Sequence, residues 1–150
     1  MKLVWFFFSI IAALIAHSQI SLWGVAPNFT IVVAYAAGIY SGSTKGILLG
    51  SMVGILEDSV SGNILGPNLL GKGMAGFFAS FSSGSLFRWT PLLGMLSLFA
   101  LTLMDGAVVF LSRTIFEISP ASLSRGVLAI LMQGMLNAVI GIFVRPRNVD

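Results

Sequence analysis

The fold turns on residues Gly46 to Ser59, GILLGSMVGILEDS, an apolar run in which Gly46, Gly50 and Gly54 recur at every fourth position before the run closes on Glu57 and Asp58. A fourfold step returns to nearly the same face of a helix, drifting by about 40° each time. The three glycines therefore line one side of a helix as a shallow groove, where the backbone of another helix can approach closely. The interval extends in both directions, through Gly38 and Gly42 before the run and, past Asp58, through Gly62 and Gly66 after it. Glycine is unfavourable in a water-exposed helix but frequent in transmembrane ones, so the ladder points to helix packing inside a bilayer.

Composition leads to the same place. Of 150 residues, 57% are hydrophobic and 9% charged, against about 25% charged in an ordinary soluble domain. Each helical crossing needs about 20 apolar residues, so six would consume about 120 and leave about 30 for every loop and tail. That excludes an extramembrane domain. The expected fold is all-α, a polytopic membrane protein with residues 1–150 forming one integral membrane domain.

Pro, Gly, Ser and isolated charges divide the chain into six expected transmembrane helices, at about 3–22, 28–41, 45–60, 69–87, 91–115 and 123–144. The second is short for a full crossing and is expected to be tilted or broken. The first, with Lys2 ahead of it and Ala16-His17-Ser18 near its end, resembles a signal peptide. The next apolar segment follows almost at once, so it reads better as an anchor that stays. Between the fifth and sixth spans, residues 112–122 carry Arg113, Glu117 and Pro120 and suit a short interfacial helix.

The eight Lys and Arg are scattered singly, so the net charge of +3 does not read as a nucleic-acid surface. They report topology instead. With the N-terminus in the cytoplasm, Lys2, Lys45, Arg88, Arg145 and Arg147 fall inside and Arg113 and Arg125 outside, which predicts that both termini are cytoplasmic. Trp5, Trp23 and Trp89 fall near span ends, where interfacial aromatic residues are expected.

Catalytic readings find little support. There is no cysteine and a single histidine, His17, which removes thiolate chemistry and a histidine metal cluster. No serine stands in a nucleophile elbow, the acidic residues lack metal-ligand spacing, and the Ser-rich Phe81 to Ser85 segment reads as an inner loop. The expectation is a protein that is not an enzyme and has no catalytic, cofactor or metal site.

The charges inside the spans remain. Asp58 continues the glycine ladder beside Glu57, Lys72 falls one to two turns into the fourth span, and Asp105 lies beyond the midpoint of the fifth. Intramembrane ionisable groups each cost about 2.5–3.5 kcal/mol on insertion scales and generally face the bundle interior or water. Lys72 is expected to pair with Asp58, Glu57 or Asp105 in one polar pocket toward the outer side. The alternative is that Lys72 and Asp58 snorkel to the outer interface. His17 with Gln19, and Gln133 with Asn137, read as interhelical hydrogen-bonding residues.

From Ala26 to Phe78 the chain resembles the rod shape-determining protein MreD family. The elements that carry the likeness are Pro27-Asn28, then Gly46, Gly50 and Gly54, Asp58 ending that helix, the Ser61-Gly62 turn and Leu65-Gly66. The resemblance implies a non-enzymatic inner-membrane subunit of the bacterial cell-elongation machinery. It would work with the single-span protein MreC, the actin-like MreB, and the wall synthases RodA and a class B penicillin-binding protein. On this reading Gly46, Gly50, Gly54, Gly62 and Gly66 form a helix-packing groove open to a partner such as the MreC helix. Lys72 and Glu57 lie outside the matched pattern. The family's fold is similar to that of the substrate-binding subunits of energy-coupling-factor transporters. That makes a vitamin-like binding subunit the rival reading, with Ala12 and Ala16 on the first helix as its supporting detail.

Overall fold

The structure, a computed structural model, describes residues 2–19, 27–62, 65–83, 89–116 and 122–146, with 2–3 and 17–19 described by their backbone alone. Among these residues the chain forms six α-helices and no strand: α1 Lys2–Gln19, α2 Phe29–Ser41, α3 Ser43–Ser61, α4 Pro67–Ala79, α5 Pro91–Phe116 and α6 Leu123–Gly141. All six helices begin within two residues of the expected spans. α4 departs most, since it runs as α-helix only to Ala79 and then tightens into a 3₁₀ turn over Ser80–Ser83. The serines explain the change: the Ser80 hydroxyl donates to the Phe77 carbonyl at 2.7 Å and the Ser83 hydroxyl to the Ser80 carbonyl, diverting backbone acceptors from the helical ladder.

Helix ends follow local chemistry. The Asn28 side chain accepts from the Ile31 N–H and caps α2, and Pro67 opens α4 in the first turn, where its missing N–H costs nothing. One residue, Gly42, joins α2 to α3 at φ 80°, a conformation that a Cβ would disfavour. Gly62 and Gly66 have positive φ and shape the turn between α3 and α4. Thus these two members of the ladder do not line a groove, as expected of them from spacing. A Cβ on either would meet nothing within 4 Å.

The remaining ladder sets the packing. A Cβ built on Gly46 would overlap the Gly76 carbonyl, on Gly50 the Lys72 carbonyl, and on Gly54 the Asn68 carbonyl. The pairs descend along α4 as they ascend α3, so the two helices are antiparallel with their backbones in direct contact. The face expected to receive a partner helix is filled by α4 of the same chain. Gly38 adds α2 to this contact, since its Cβ would overlap Gly76 and crowd Ala79. A second close pair, Gly94 with Gly141, brings α5 and α6 together antiparallel. Ile31, Tyr35, Ile39, Ala75, Ala79, Leu98 and Leu101 fill the space between the two groups of helices.

Among the described residues, two helices, α5 and α6, are long and apolar enough to cross a membrane; α2 and the Val4–Ala16 part of α1 are shorter apolar helices. α5 extends about 39 Å at 1.5 Å per residue and α2 only about 20 Å. Leu48 in α3 is 62% exposed while Gly50 is buried, which gives a matched pair for testing. Gly50→Leu should force α3 from α4 and lower stability by about 1–3 kcal/mol or more, whereas Leu48→Ala should change it by about 0.5 kcal/mol or less. Thermal unfolding of the detergent-purified variants measures both.

Candidate functional site

At the level where α2 begins, α3 ends and α4 begins, the interior turns polar. Lys72 is 0% exposed, Asp58 and Asp105 1%, and Glu57 7%. The Lys72 ammonium lies 3.1 Å from Glu57 Oε2 and 3.4 Å from Asp105 Oδ2, and it donates to Asn68 Oδ1 at 2.7 Å. An ammonium has three protons, and here there are three partners. Removed from water, it is held by two carboxylates and an amide, each from a different helix or turn of the bundle.

Asp58 takes another role. Its Oδ2 accepts from the Gly66 and Leu69 N–H groups at 2.9 and 3.2 Å, and its Oδ1 from the Asn68 N–H and side-chain amide at 3.3 and 2.8 Å. The first turn of a helix leaves N–H groups without intrahelical acceptors and carries partial positive charge. α4 starts from Gly66, which offers no side-chain cap, so the carboxylate at the end of α3 caps the next helix. Asn68 ties this cap to the ion pairs, giving its amide protons to Asp58 and its oxygen to Lys72. Of the three carboxylates expected as partners for Lys72, Glu57 and Asp105 pair with it directly and Asp58 is joined to it through Asn68.

Other polar side chains complete the network. Asn28 donates to Asp105 Oδ2 at 3.1 Å. The Thr30 hydroxyl, with one proton to give, stands between Asn28 Oδ1 at 2.6 Å and Glu57 Oε2. Asn137 donates from α6 to the Asn28 carbonyl at 3.1 Å and to Thr102 at 3.3 Å. Gly71 makes room for the cluster, because a Cβ there would overlap Asp105 Oδ1. That oxygen and Asn137 Oδ1 accept no hydrogen bond among the described residues.

The expected pocket is therefore a filled network. Apart from those two oxygens, its polar atoms are directed at one another, as groups in a lipid environment must be. Among the described residues, no group of three or more His, Cys, Asp or Glu is placed to hold a metal ion. Asn28, Thr30, Asn68 and Thr102 do not stand out in the sequence as site residues. One signal was present: the Pro-Asn pair occurs twice, at Pro27-Asn28 and Pro67-Asn68, and both asparagines open helices into the cluster. Asn137 bridges helices as expected, and the side chains of His17 and Gln19 lie outside the described residues. Trp5 is 70% exposed, in keeping with an interfacial position. Trp89 is 9% exposed with Arg145 5.7 Å from its ring centre, so it packs inward. Trp23 lies outside the described residues.

A comparison with known families matches residues 1–145 to the rod shape-determining protein MreD family. The chain belongs to that family. No curated protein and no solved structure matches it. MreD is a membrane-associated family of rod-shape determination, and the elements by which this chain resembles it now have physical roles. The MreD glycines at positions 46, 50 and 54 admit α4, and the MreD aspartate at position 58 caps it.

Removing one partner from a buried ion pair costs about 3–5 kcal/mol, because the remaining charge is left uncompensated. Lys72→Met should therefore sharply lower the midpoint of thermal unfolding, while Lys45→Met, at an exposed position, should leave it nearly unchanged. Asp58→Asn places amide protons against backbone N–H groups and should cost about 1.5–3 kcal/mol, the range for hydrogen bonds to a charged group. Hydrogen exchange should show the loss first at Asn68 and Leu69.

Proposed function

We propose that this protein is a non-enzymatic subunit of the bacterial cell-elongation machinery in the inner membrane. It assembles with MreC through the single transmembrane helix of that protein, and through the complex with MreB, RodA and a class B penicillin-binding protein. The family match over residues 1–145 carries this reading. Two features support it. The charged cluster is satisfied largely within the chain, as a rigid structural centre would be. The outer faces of α5 and α6 carry apolar side chains such as Leu111, Ile115, Leu123 and Leu128, each more than half exposed.

α5 runs about 16 Å beyond Asp105, and α6 starts about 21 Å before Asn137, so this pair projects past the described parts of α2, α3 and α4. A partner helix, unable to use the glycine face that α4 occupies, would bind an outward face of this kind.

All six helices are proposed to cross the bilayer, with the α2–α4 group tilted or partly sunk. The ends of α2 and α6 and the starts of α1, α3 and α5 fall together, placing Lys45 and Arg145 at one end, while Arg113 and Arg125 belong to the other. By the excess of Lys and Arg on the inner side, the end with Lys45 faces the cytoplasm. A C-terminal fluorescent-protein fusion should then be bright and an alkaline phosphatase fusion inactive.

Affinity purification from the native membrane in mild detergent tests the partners. A single-pass wall-elongation protein should co-purify, and depletion should round the cells. Recovery of a transporter ATPase, or tight binding of a vitamin, would overturn the reading in favour of an energy-coupling-factor subunit.

A further inference from the structure

Counting charges in the buried cluster leaves a remainder. Glu57, Asp58 and Asp105 bring three carboxylates together, and among the described residues Lys72 is the one cation in contact with them. Asp58 is met by the N–H groups at the positive end of α4. Glu57 and Asp105 then share one ammonium, which leaves one negative charge in excess where an uncompensated charge is costly. The other charged residues of these helices, Lys45 on α3, Arg113 on α5 and Arg125 on α6, lie about 12 Å or more away along the helix axes. Tyr35 of α2 reaches the Gly94 carbonyl instead.

Oxygens outnumber donors in the same place. Asp105 Oδ1 and Asn137 Oδ1 belong to residues 1% and 0% exposed and accept no hydrogen bond. At Thr30 a single hydroxyl proton faces two oxygens, Asn28 Oδ1 and Glu57 Oε2. Asn28 has no proton to add there, because its Oδ1 already accepts from the Ile31 N–H and its amide protons face Asp105. Asn28 also joins the two unsatisfied oxygens, holding Asp105 by its side chain and Asn137 by its carbonyl. The excess is a single unit of charge, which a divalent ion would overshoot. Oxygen ligands without thiolate or imidazole suit a proton or an alkali ion, and sites of this kind lie between membrane helices.

We propose that the cluster binds one further monovalent cation, a proton or a sodium-sized ion, on the carboxylates of Glu57 and Asp105 and the neutral oxygens beside them. The site is independent of the assembly proposed above. Thermal unfolding of the full-length protein in detergent tests it, with sodium exchanged for choline at constant ionic strength and, separately, with pH raised from about 6 to 9. A cation held by the folded chain alone should move the folding equilibrium by up to about tenfold for each tenfold change in its concentration. In a chain of this size that is a shift of about 3–6 °C in the unfolding midpoint. A midpoint that rises with sodium identifies the alkali ion, and one that falls as pH rises, whatever the sodium concentration, identifies the proton. Glu57→Gln removes the excess charge while its amide can still donate to Thr30, so this variant should lack the dependence that the wild type shows. Asp105→Asn removes the same charge from α5 and gives a second reading should Glu57→Gln fail to fold. A wild-type midpoint indifferent to both sodium and pH, or a dependence that survives unchanged in the variants, would overturn the proposal.

Discussion

A lysine ammonium with no access to water has to be compensated where it stands, and the rest of this bundle is arranged to do so. Lys72 projects from α4 toward Glu57 on α3 and Asp105 on α5. Asn28 at the start of α2 holds Asp105, and Asn137 on α6 holds the Asn28 backbone. Five helices are thus committed to one small volume by directional contacts. Apolar surface alone does little to orient helices that are already surrounded by hydrocarbon. Directional contacts of this kind specify which helix meets which, and at what height.

The glycine ladder makes that centre possible. Lys72 and Asn68 reach their acceptors only if α4 lies against α3 at backbone distance, and the carbonyls of these same two residues occupy the space a side chain at Gly50 or Gly54 would fill. Close approach and charge compensation are therefore one device. Gly46, Gly50 and Gly54 set the separation of the helices, Glu57 and Asp58 follow on the next turn, and the positive-φ glycines at 62 and 66 reverse the chain so that Asp58 can cap α4.

Much of this was legible in the sequence because its signals are local or periodic. The six helices follow from apolar runs and their punctuation, and α4 ends ahead of its apolar run where serine hydroxyls compete for backbone carbonyls. The polar residues of the cluster were recognisable one by one, since a charge within an apolar span stands out against its neighbours. Their division of labour was harder to read. Asp58 and Glu57 are adjacent in the chain, yet one caps a helix and the other pairs with an ammonium, because successive helical residues point about 100° apart. Asn28, Thr30 and Asn68 gave no comparable signal, because a small polar residue near a helix end has ordinary capping uses, and Thr102, inside α5, can satisfy its hydroxyl on the Leu98 carbonyl of its own helix.

The sequence by itself determined an all-helical membrane chain, a close helix contact along Gly46, Gly50 and Gly54, and the few charges that need partners, because length, hydropathy and helical period act over a few turns. The tertiary structure decided that the partner of the glycine face is α4 of the same chain and that Lys72 belongs to Glu57 and Asp105. It also brought Asn137 of α6 to the Asn28 carbonyl at the start of α2. These are contacts between segments up to 109 residues apart. They depend on how six helices share one cross-section, and no local pattern carries that information.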